Sequence, residues 1–357
     1  MTQEAIFKAI REREMKVLNI QVTSSCNYAC GMCPFHGDGY SGEYFDERPT
    51  IRRDMSLDEI KLILEKASME GFEWIDLTPN GEFFTHKQWY QILSLIKEFG
   101  LKIMITSNGG LLGEEDIKRA CEVGVDHIVI SVDSLSYESY KKIRKPATKL
   151  AFERAIHAPL YFKKYGGDSI YVQIQITEQP EFPHEALGVL DFYKDKGLNQ
   201  ISLKKMFVTG EDGIGHIGVE KLEYTHGKCK AYGSPIVMTD GTVLPCCGAF
   251  YFYPKLGEKI PNIFNHTIFE SARILDDLYE RDSLFGSYCR NCSLYDSSRK
   301  AAPVKFIFGD YYAEQTLFET RYFILPKYLR FLPSLAILWL YKKGYARKIK
   351  QWLVAAQ

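Results

Sequence analysis

The sequence has no apolar run long enough to cross a membrane. Its longest uncharged apolar stretch, Phe331 to Tyr341, falls well short of the roughly 20 residues that a spanning helix needs. It has no net charge, with 45 Lys+Arg against 45 Asp+Glu, which speaks against general binding to nucleic acid. The first residues, MTQEAIFKAIREREMKV, mix charges and lack the apolar centre of a secretory signal. No internal repeat and no low-complexity segment is present. Disulfides are not expected either: nine cysteines is an odd number, in a long chain without a signal. These absences leave a cytoplasmic globular protein with reduced thiols. At 357 residues and 46% apolar, it has material for about two domains.

One local absence departs from the neutral whole. No acidic residue follows Glu319, while Arg321, Lys327, Arg330, Lys342, Lys343, Arg347, Lys348 and Lys350 do. Together with Trp339, Trp352 and many Phe, Leu and Ile, these make residues 301–357 a basic amphipathic tail. Two readings stand side by side. The tail lies on an anionic bilayer, so the protein is membrane-associated and its substrate can be lipid-linked. Alternatively, it docks on the body with its charges in water.

From Val17 to Met206 the chain alternates between β-like runs (VLNIQVT, EWIDLTP, LKIMITS, DHIVISV, SIYVQIQIT, NQISLKKM) and helical patterns. Ser56 with Glu59 marks a capping box at one helix start. Such alternation implies parallel strands covered by crossover helices, and six units make a partial (β/α)6 TIM-like barrel of class α/β. In such barrels chemistry sits at the C-terminal ends of the strands. Past Gly210 the composition shifts to Gly, Pro and Cys, with a hairpin signal at Asp240-Gly241. The expected domains are therefore 1–210, 211–300 and the tail.

Cys26, Cys30 and Cys33 follow the first strand at spacing C-x3-C-x2-C. Three thiolates can hold three irons of a cubane and leave the fourth open to another ligand. The alternative is zinc, which asks for a fourth ligand such as His36. The stretch CNYACGMCPF resembles the cluster loop of the radical S-adenosylmethionine superfamily. That resemblance implies a [4Fe-4S] cluster whose open iron chelates the methionine moiety of S-adenosylmethionine. A flavodoxin- or ferredoxin-type partner supplies an electron, and cleavage gives a 5′-deoxyadenosyl radical.

Further matches fall at successive strand ends, each marked by the same resemblance. Met32 takes the apolar position near the adenine. Asn80-Gly81-Glu82 is similar to the family's G-G-E, whose backbone and carboxylate bind the methionine amino group. Asn replaces the first Gly, which its tolerance of positive φ allows. Ser107-Asn108-Gly109 is similar to T-N-G, Ser131-Val132-Asp133 to S-x-D, and Arg144 to a basic residue near the cofactor carboxylate. Gln175 joins this set as a cofactor contact.

The remaining cysteines fall in two groups. Cys121, in the helical run IKRACEVG, reads as a core thiol. Cys229, Gly241 and Cys246 form C-x11-G-x4-C, followed by C-x2-C at Cys289 and Cys292. This resembles the opening of the SPASM auxiliary-cluster domain, in the shortened one-cluster version called Twitch. The spacing is close to that of the butirosin-pathway 2-deoxy-scyllo-inosamine dehydrogenase type. By that resemblance Cys229, Cys246 or Cys247, Cys289 and Cys292 hold a second [4Fe-4S] cluster that relays electrons; four thiolates on zinc is the alternative. The spare thiol of the doublet, Cys247, is a candidate hydrogen-atom donor, and Lys204 a candidate catalytic residue on the last barrel strand.

The favoured expectation is oxidation or epimerisation of a carbohydrate or cyclitol alcohol. Modification of a ribosomally made peptide ranks second, because the segment before Val17 leaves no room for the separate peptide-recognition domain that many such enzymes carry. A zinc-stabilised binding protein without catalysis ranks third.

Overall fold

A computed structural model describes residues 17–33, 35–37, 53–78, 80–210, 213–216, 235–246, 249–250, 253–282, 285–286, 307–308, 311–315 and 319–324. Six parallel strands run in chain order: β1 (Val17–Ile20), β2 (Trp74–Asp76), β3 (Lys102–Ser107), β4 (His127–Ser131), β5 (Tyr171–Glu178) and β6 (Gln200–Lys205). Helices α1 (Leu57–Met69), α2 (Trp89–Glu98), α3 (Glu114–Val123), α4 (Tyr137–Ile143), α5 (Lys149–Gly166) and α6 (Glu185–Tyr193) fill the connections. The expected α/β partial barrel is what forms.

Sequence chemistry explains the elements. Ser56 Oγ accepts the Glu59 N–H while Glu59 returns its carboxylate to the Ser56 N–H at 2.8 Å, so the capping box starts α1. Ile60, Ile63, Leu64 and Ala67, spaced three and four apart, are the face α1 buries. On the strands, alternate side chains point to opposite faces. Leu18, Ile20, Ile75, Ile103, Ile105, Ile128, Ile130, Val172, Ile174, Ile176 and Ile201 pack into one continuous core. α4 has no counterpart in the sequence reading, because SLSYESYKKI carries too short an apolar pattern to announce a helix.

The parallel sheet does not close on itself. β9 (Ile236–Val237) pairs in parallel with β1 and turns into β10 (Val243–Leu244) at the anticipated Asp240-Gly241 hairpin. Gly241 has φ +84°, and a Cβ there would stand 2.5 Å from the Phe264 ring, so the turn needs glycine. On the opposite edge β13 (Glu319–Ile324) pairs antiparallel with β6, followed outward by β12 (Tyr311–Gln315) and β11 (Ile307–Phe308). These strands come from the segment expected to be a basic tail; the described part of it adds an edge to the sheet. β7 (Phe207–Gly210) and β8 (Gly213–His216) form a separate pair, and α7 (Ile268–Arg281) follows the hairpin. Among the described residues no helix is long and apolar enough to cross a membrane.

Candidate cofactor and substrate site

The loop after β1 gathers the first cysteines. Cys26, Cys30, Cys33 and Met32 pack with Tyr28, Tyr140 and Ala155 in a small cluster of their own. The Cys33 N–H donates to the Cys30 carbonyl at 2.8 Å and the Gly37 N–H to the Cys33 carbonyl at 2.9 Å. A Cβ on Gly37 would stand 2.3 Å from the Cys30 oxygen and 2.5 Å from that of Cys33, so the loop closes only with glycine there. Burial pushes the Cys26 thiol up to about 12 and the Cys30 thiol up to about 11. His36, the possible fourth zinc ligand, has Nε2 at 3.2 Å from the Asn80 carbonyl oxygen.

The next strand ends are tied to that loop. Asn80 has φ +57°, the left-handed conformation anticipated for it. A Cβ on Gly81 would lie 2.6 Å from the Thr23 oxygen and 2.9 Å from that of Ser25. Glu82 is buried, and its carboxylate accepts Ser107 Oγ–H and the Asn108 N–H, each at 2.8 Å. Burial raises the Glu82 pKa, against these hydrogen bonds. Asn108 Nδ2 in turn donates to Asn27 Oδ1 at 2.8 Å, beside Cys26 in sequence. Thus Glu82, Ser107 and Asn108 stand together and lock the β2 and β3 loops to the cysteine loop. Arg144 and Asp133 also meet: Arg144 Nε donates to Asp133 Oδ2 at 2.9 Å, and the Thr177 N–H to Oδ1 at 2.9 Å. Burial opposes the Arg144 charge most strongly, but Asp133, Cys30 and Tyr140 together outweigh it and raise its pKa.

The other strand face is unlike the apolar core. Its register rows align Asn19, Asp76, Met104 and His127, then Val129, Gln173 and Gln200, then Ser131, Gln175 and Ser202. Lys204 Nζ donates to Gln175 Oε1 at 2.6 Å, Gln173 Nε2 to Ser202 Oγ at 3.1 Å, and Thr78 Oγ1 to Thr106 Oγ1 at 3.0 Å. Thr78 Oγ1 also contacts the carboxylate of Asp76. Asp76 is buried, and desolvation pushes its carboxyl up to about 6. The sequence reading missed Asp76, which sits inside the strand-like run EWIDLTP; its one signal is an acid at a position that β2 must bury.

Cys229, Cys247, Cys289 and Cys292 lie outside the described residues, as does the chain beyond Ile324. Cys246 is described, half-buried after β10 and packed on the main core. Cys121 is likewise half-buried on α3, and burial pushes its thiol up to about 11, as suits a packing role.

The succession of loops at the strand ends, with three cysteines on the first, meets its match by sequence. Residues 20–192 match the family described as the Radical SAM superfamily. This stretch of the chain belongs to the radical SAM superfamily. A probable GTP 3′,8-cyclase of Methanocaldococcus jannaschii is 29% identical over 37% of this chain and 41% of its own length. One of Methanococcus maripaludis (strain C5) is 28% identical over 66% of this chain and 85% of its own length. The chain thus spans about two-fifths of the first curated relatives it matches, at 41% and 39%. Streptococcus suis SuiB bound to S-adenosylmethionine superposes with TM-score 0.56 at 16% identity, over 81% of this chain and 74% of that one, a likeness of fold.

Radical SAM membership implies a [4Fe-4S] cluster and S-adenosylmethionine, and the loop fits them. Buried thiols this reluctant to ionise need adjacent positive charge, which cluster irons supply. Tyr28 and Tyr140 meet edge to face with ring centroids 6.3 Å apart, and their hydroxyls are buried in the same nest as the thiols. Among the described residues no three His, Cys, Asp or Glu side chains converge on a point where one metal ion would sit. A cubane asks for less convergence than zinc does, because each cysteine takes a separate iron.

Proposed function

We propose that the protein is a radical S-adenosylmethionine enzyme that acts on a small polyhydroxylated molecule, a sugar or cyclitol that is free or carried on a nucleotide or lipid. It oxidises or epimerises one alcohol carbon. The observation that carries this reading is the polar inner face of the barrel. A barrel that only has to pack fills its interior with layers of branched apolar side chains. Here Asp76, Thr78, Thr106, Gln175, Ser202 and Lys204 occupy those positions. The relatives named GTP 3′,8-cyclase support the same substrate class, since GTP carries a sugar.

When bound, the cluster and S-adenosylmethionine supply a 5′-deoxyadenosyl radical that takes a hydrogen atom from the substrate. The chain's residues then have separate tasks. Cys26, Cys30 and Cys33 hold the cluster, and Met32 lies beside it. Asn80, Gly81, Glu82, Ser107, Asn108, Ser131, Asp133 and Arg144 build the mouth that receives the cofactor, with Gln175 at its far side. Lys204 and Asp76 address the substrate: the ammonium donates to a hydroxyl, and the carboxylate accepts a hydroxyl proton. Residues 211–300 form an auxiliary-cluster domain in which Cys229, Cys246 or Cys247, Cys289 and Cys292 would hold a second [4Fe-4S] cluster, which would take the remaining electron when the alcohol is oxidised. With Cys246 as the ligand, Cys247 is the spare thiol. A flavodoxin- or ferredoxin-type protein delivers electrons, and residues beyond Ile324 contact a membrane.

The test uses the full chain, reconstituted anaerobically and reduced with dithionite, with S-adenosylmethionine and a panel of carbon-deuterated sugars, cyclitols and nucleotides. Deuterium passing from a panel member into 5′-deoxyadenosine supports the reading. Loss of two hydrogens from the product marks oxidation, and unchanged mass with solvent deuterium marks epimerisation. Transfer from peptides alone would replace the substrate class, and absence of 5′-deoxyadenosine would overturn the enzyme reading.

A further inference from the structure

A cavity of about 210 Å³ opens at the β1 edge of the mouth, between the cysteine loop and the β9–β10 turn. Two donors on its lining residues, Arg53 Nη1 and Asn80 Nδ2, are buried and have no hydrogen-bond partner among the described residues. Both residues are pinned by their other atoms. The Arg53 N–H donates to Ser24 Oγ at 2.7 Å, and its Nη2 pairs with Glu59. The Asn80 carbonyl accepts Gln21 Nε2–H at 3.2 Å and has φ +57° behind it. A glycine would take that φ without strain, whereas asparagine adds an amide whose Nδ2 has no hydrogen-bond partner among the described residues. Buried donors without acceptors are destabilising, so two of them on one cavity point to an acceptor from outside.

The rest of the wall sets the character of that acceptor. Phe35 and Phe250 meet edge to face with ring centroids 4.0 Å apart, and Tyr253 stands 5.7 Å from Phe250. Asp240 also lines the cavity, but it is exposed, and its Oδ1 accepts the Thr242 N–H at 2.9 Å. A guanidinium, an amide N–H and an aromatic wall suit an oxyanion attached to a flat apolar body. The volume lies below the roughly 300 Å³ at which whole drug-sized ligands begin, so the cavity holds one terminal group.

We propose that this cavity is an anion subsite that binds the carboxylate or phosphate of a small aromatic molecule through Arg53 Nη1 and Asn80 Nδ2. It engages the Asn80 side chain, whereas the family resemblance engages the backbone at that position, and it does not depend on the radical chemistry.

Calorimetric titration of the reconstituted full chain, with and without saturating S-adenosylmethionine, tests it with three probes: phenyl phosphate, benzoate and neutral benzyl alcohol. Saturable binding of an anion but not of the alcohol is expected, and the tighter anion identifies phosphate or carboxylate. Arg53→Gln and Asn80→Gly should each weaken it at least ten-fold, while Lys196→Gln on the distant α6–β6 turn should not. If Arg53→Gln misfolds by circular dichroism, Asn80→Gly decides alone, since glycine relieves the left-handed backbone. No saturable binding of either anion, equal binding of the alcohol, or affinity indifferent to the decisive variants overturns the proposal. So does displacement of the probes by S-adenosylmethionine, which would make the cavity the cofactor's own.

Discussion

The two sides of the barrel mouth are built by different means. After β1, β2 and β3 the work is done by loops. Glycines at 37 and 81 let backbones approach, and the Glu82 carboxylate binds Ser107 Oγ and the Asn108 N–H. Across β5 and β6 the loops matter less, and strand residues reach inward with long polar side chains, as Lys204 does to Gln175. The first arrangement is rigid and reads a ligand through fixed geometry; the second is adjustable and reads it through charge and hydrogen bonding. A division follows: the residues proposed to hold the cofactor lie on the loop side, and those proposed to meet the substrate lie on the strand side.

Loss of the loop side should therefore have the largest effect. Cys30→Ala is expected to abolish 5′-deoxyadenosine formation and lower iron from about eight to about four per chain, while Cys289→Ala with Cys292→Ala lowers iron equally and spares S-adenosylmethionine cleavage. Iron analysis and product chromatography read both. If the second pair leaves iron unchanged, the auxiliary cluster is absent.

Asp76 tests the strand side by stability. Its carboxyl is pushed up from 3.8 to about 6 by burial, so the folded protein holds a proton that the unfolded chain has released. Stability must then fall as pH rises through that window. At about 1.4 kcal/mol per pKa unit the whole effect is about 3 kcal/mol. Asp76→Asn should remove this decline, and urea unfolding of both proteins between pH ~4 and ~7 would show it. Parallel pH profiles would mean that Asp76 ionises normally.

Glu82→Gln is expected to cost about 1–3 kcal/mol, since an amide N–H₂ must face the Ser107 or Asn108 donor. The same denaturation reads it, and an S-adenosylmethionine titration should show weakened binding through the loosened loops. Unchanged stability would place the Glu82 carboxylate outside the lock.

What was legible in the sequence follows the same division. Short-range chemistry was legible: the Ser56–Glu59 capping box, C-x3-C-x2-C, the β-branched strand runs, and Asn80 in a left-handed position are each set within a few residues. What needed the fold was long-range. Gly37 matters because two carbonyls fold over it, and Asp133 with Arg144 forms a buried pair that neither position announces. Residues 319–324 fall within the segment whose composition reads as a basic tail, yet ETRYFI pairs with β6, because an exposed strand edge recruits a segment whose own pattern is weak. Asp76 reads as one polar residue in a strand until register sets it beside Asn19 and Met104.

The smallest expected effect falls on Lys204, and it sharpens the comparison most. Its Nζ donates to Gln175 Oε1 at 2.6 Å on a part-buried stretch of the inner face, and water can satisfy that amide oxygen once the ammonium is gone. Lys204→Gln should therefore change stability by no more than about 0.5 kcal/mol, as for a substitution outside the packed core. Its consequence belongs to the substrate. With a hydroxyl no longer fixed by the ammonium, the ratio of converted substrate to 5′-deoxyadenosine should fall about ten-fold, the equivalent of about 1.4 kcal/mol in positioning. A matching fall in 5′-deoxyadenosine itself would place Lys204 with the cofactor loops and erase the division between the two sides. An unchanged ratio would show that substrate recognition lies elsewhere on the inner face, with Asp76 the first alternative, because it is a buried acid within a strand of the same face.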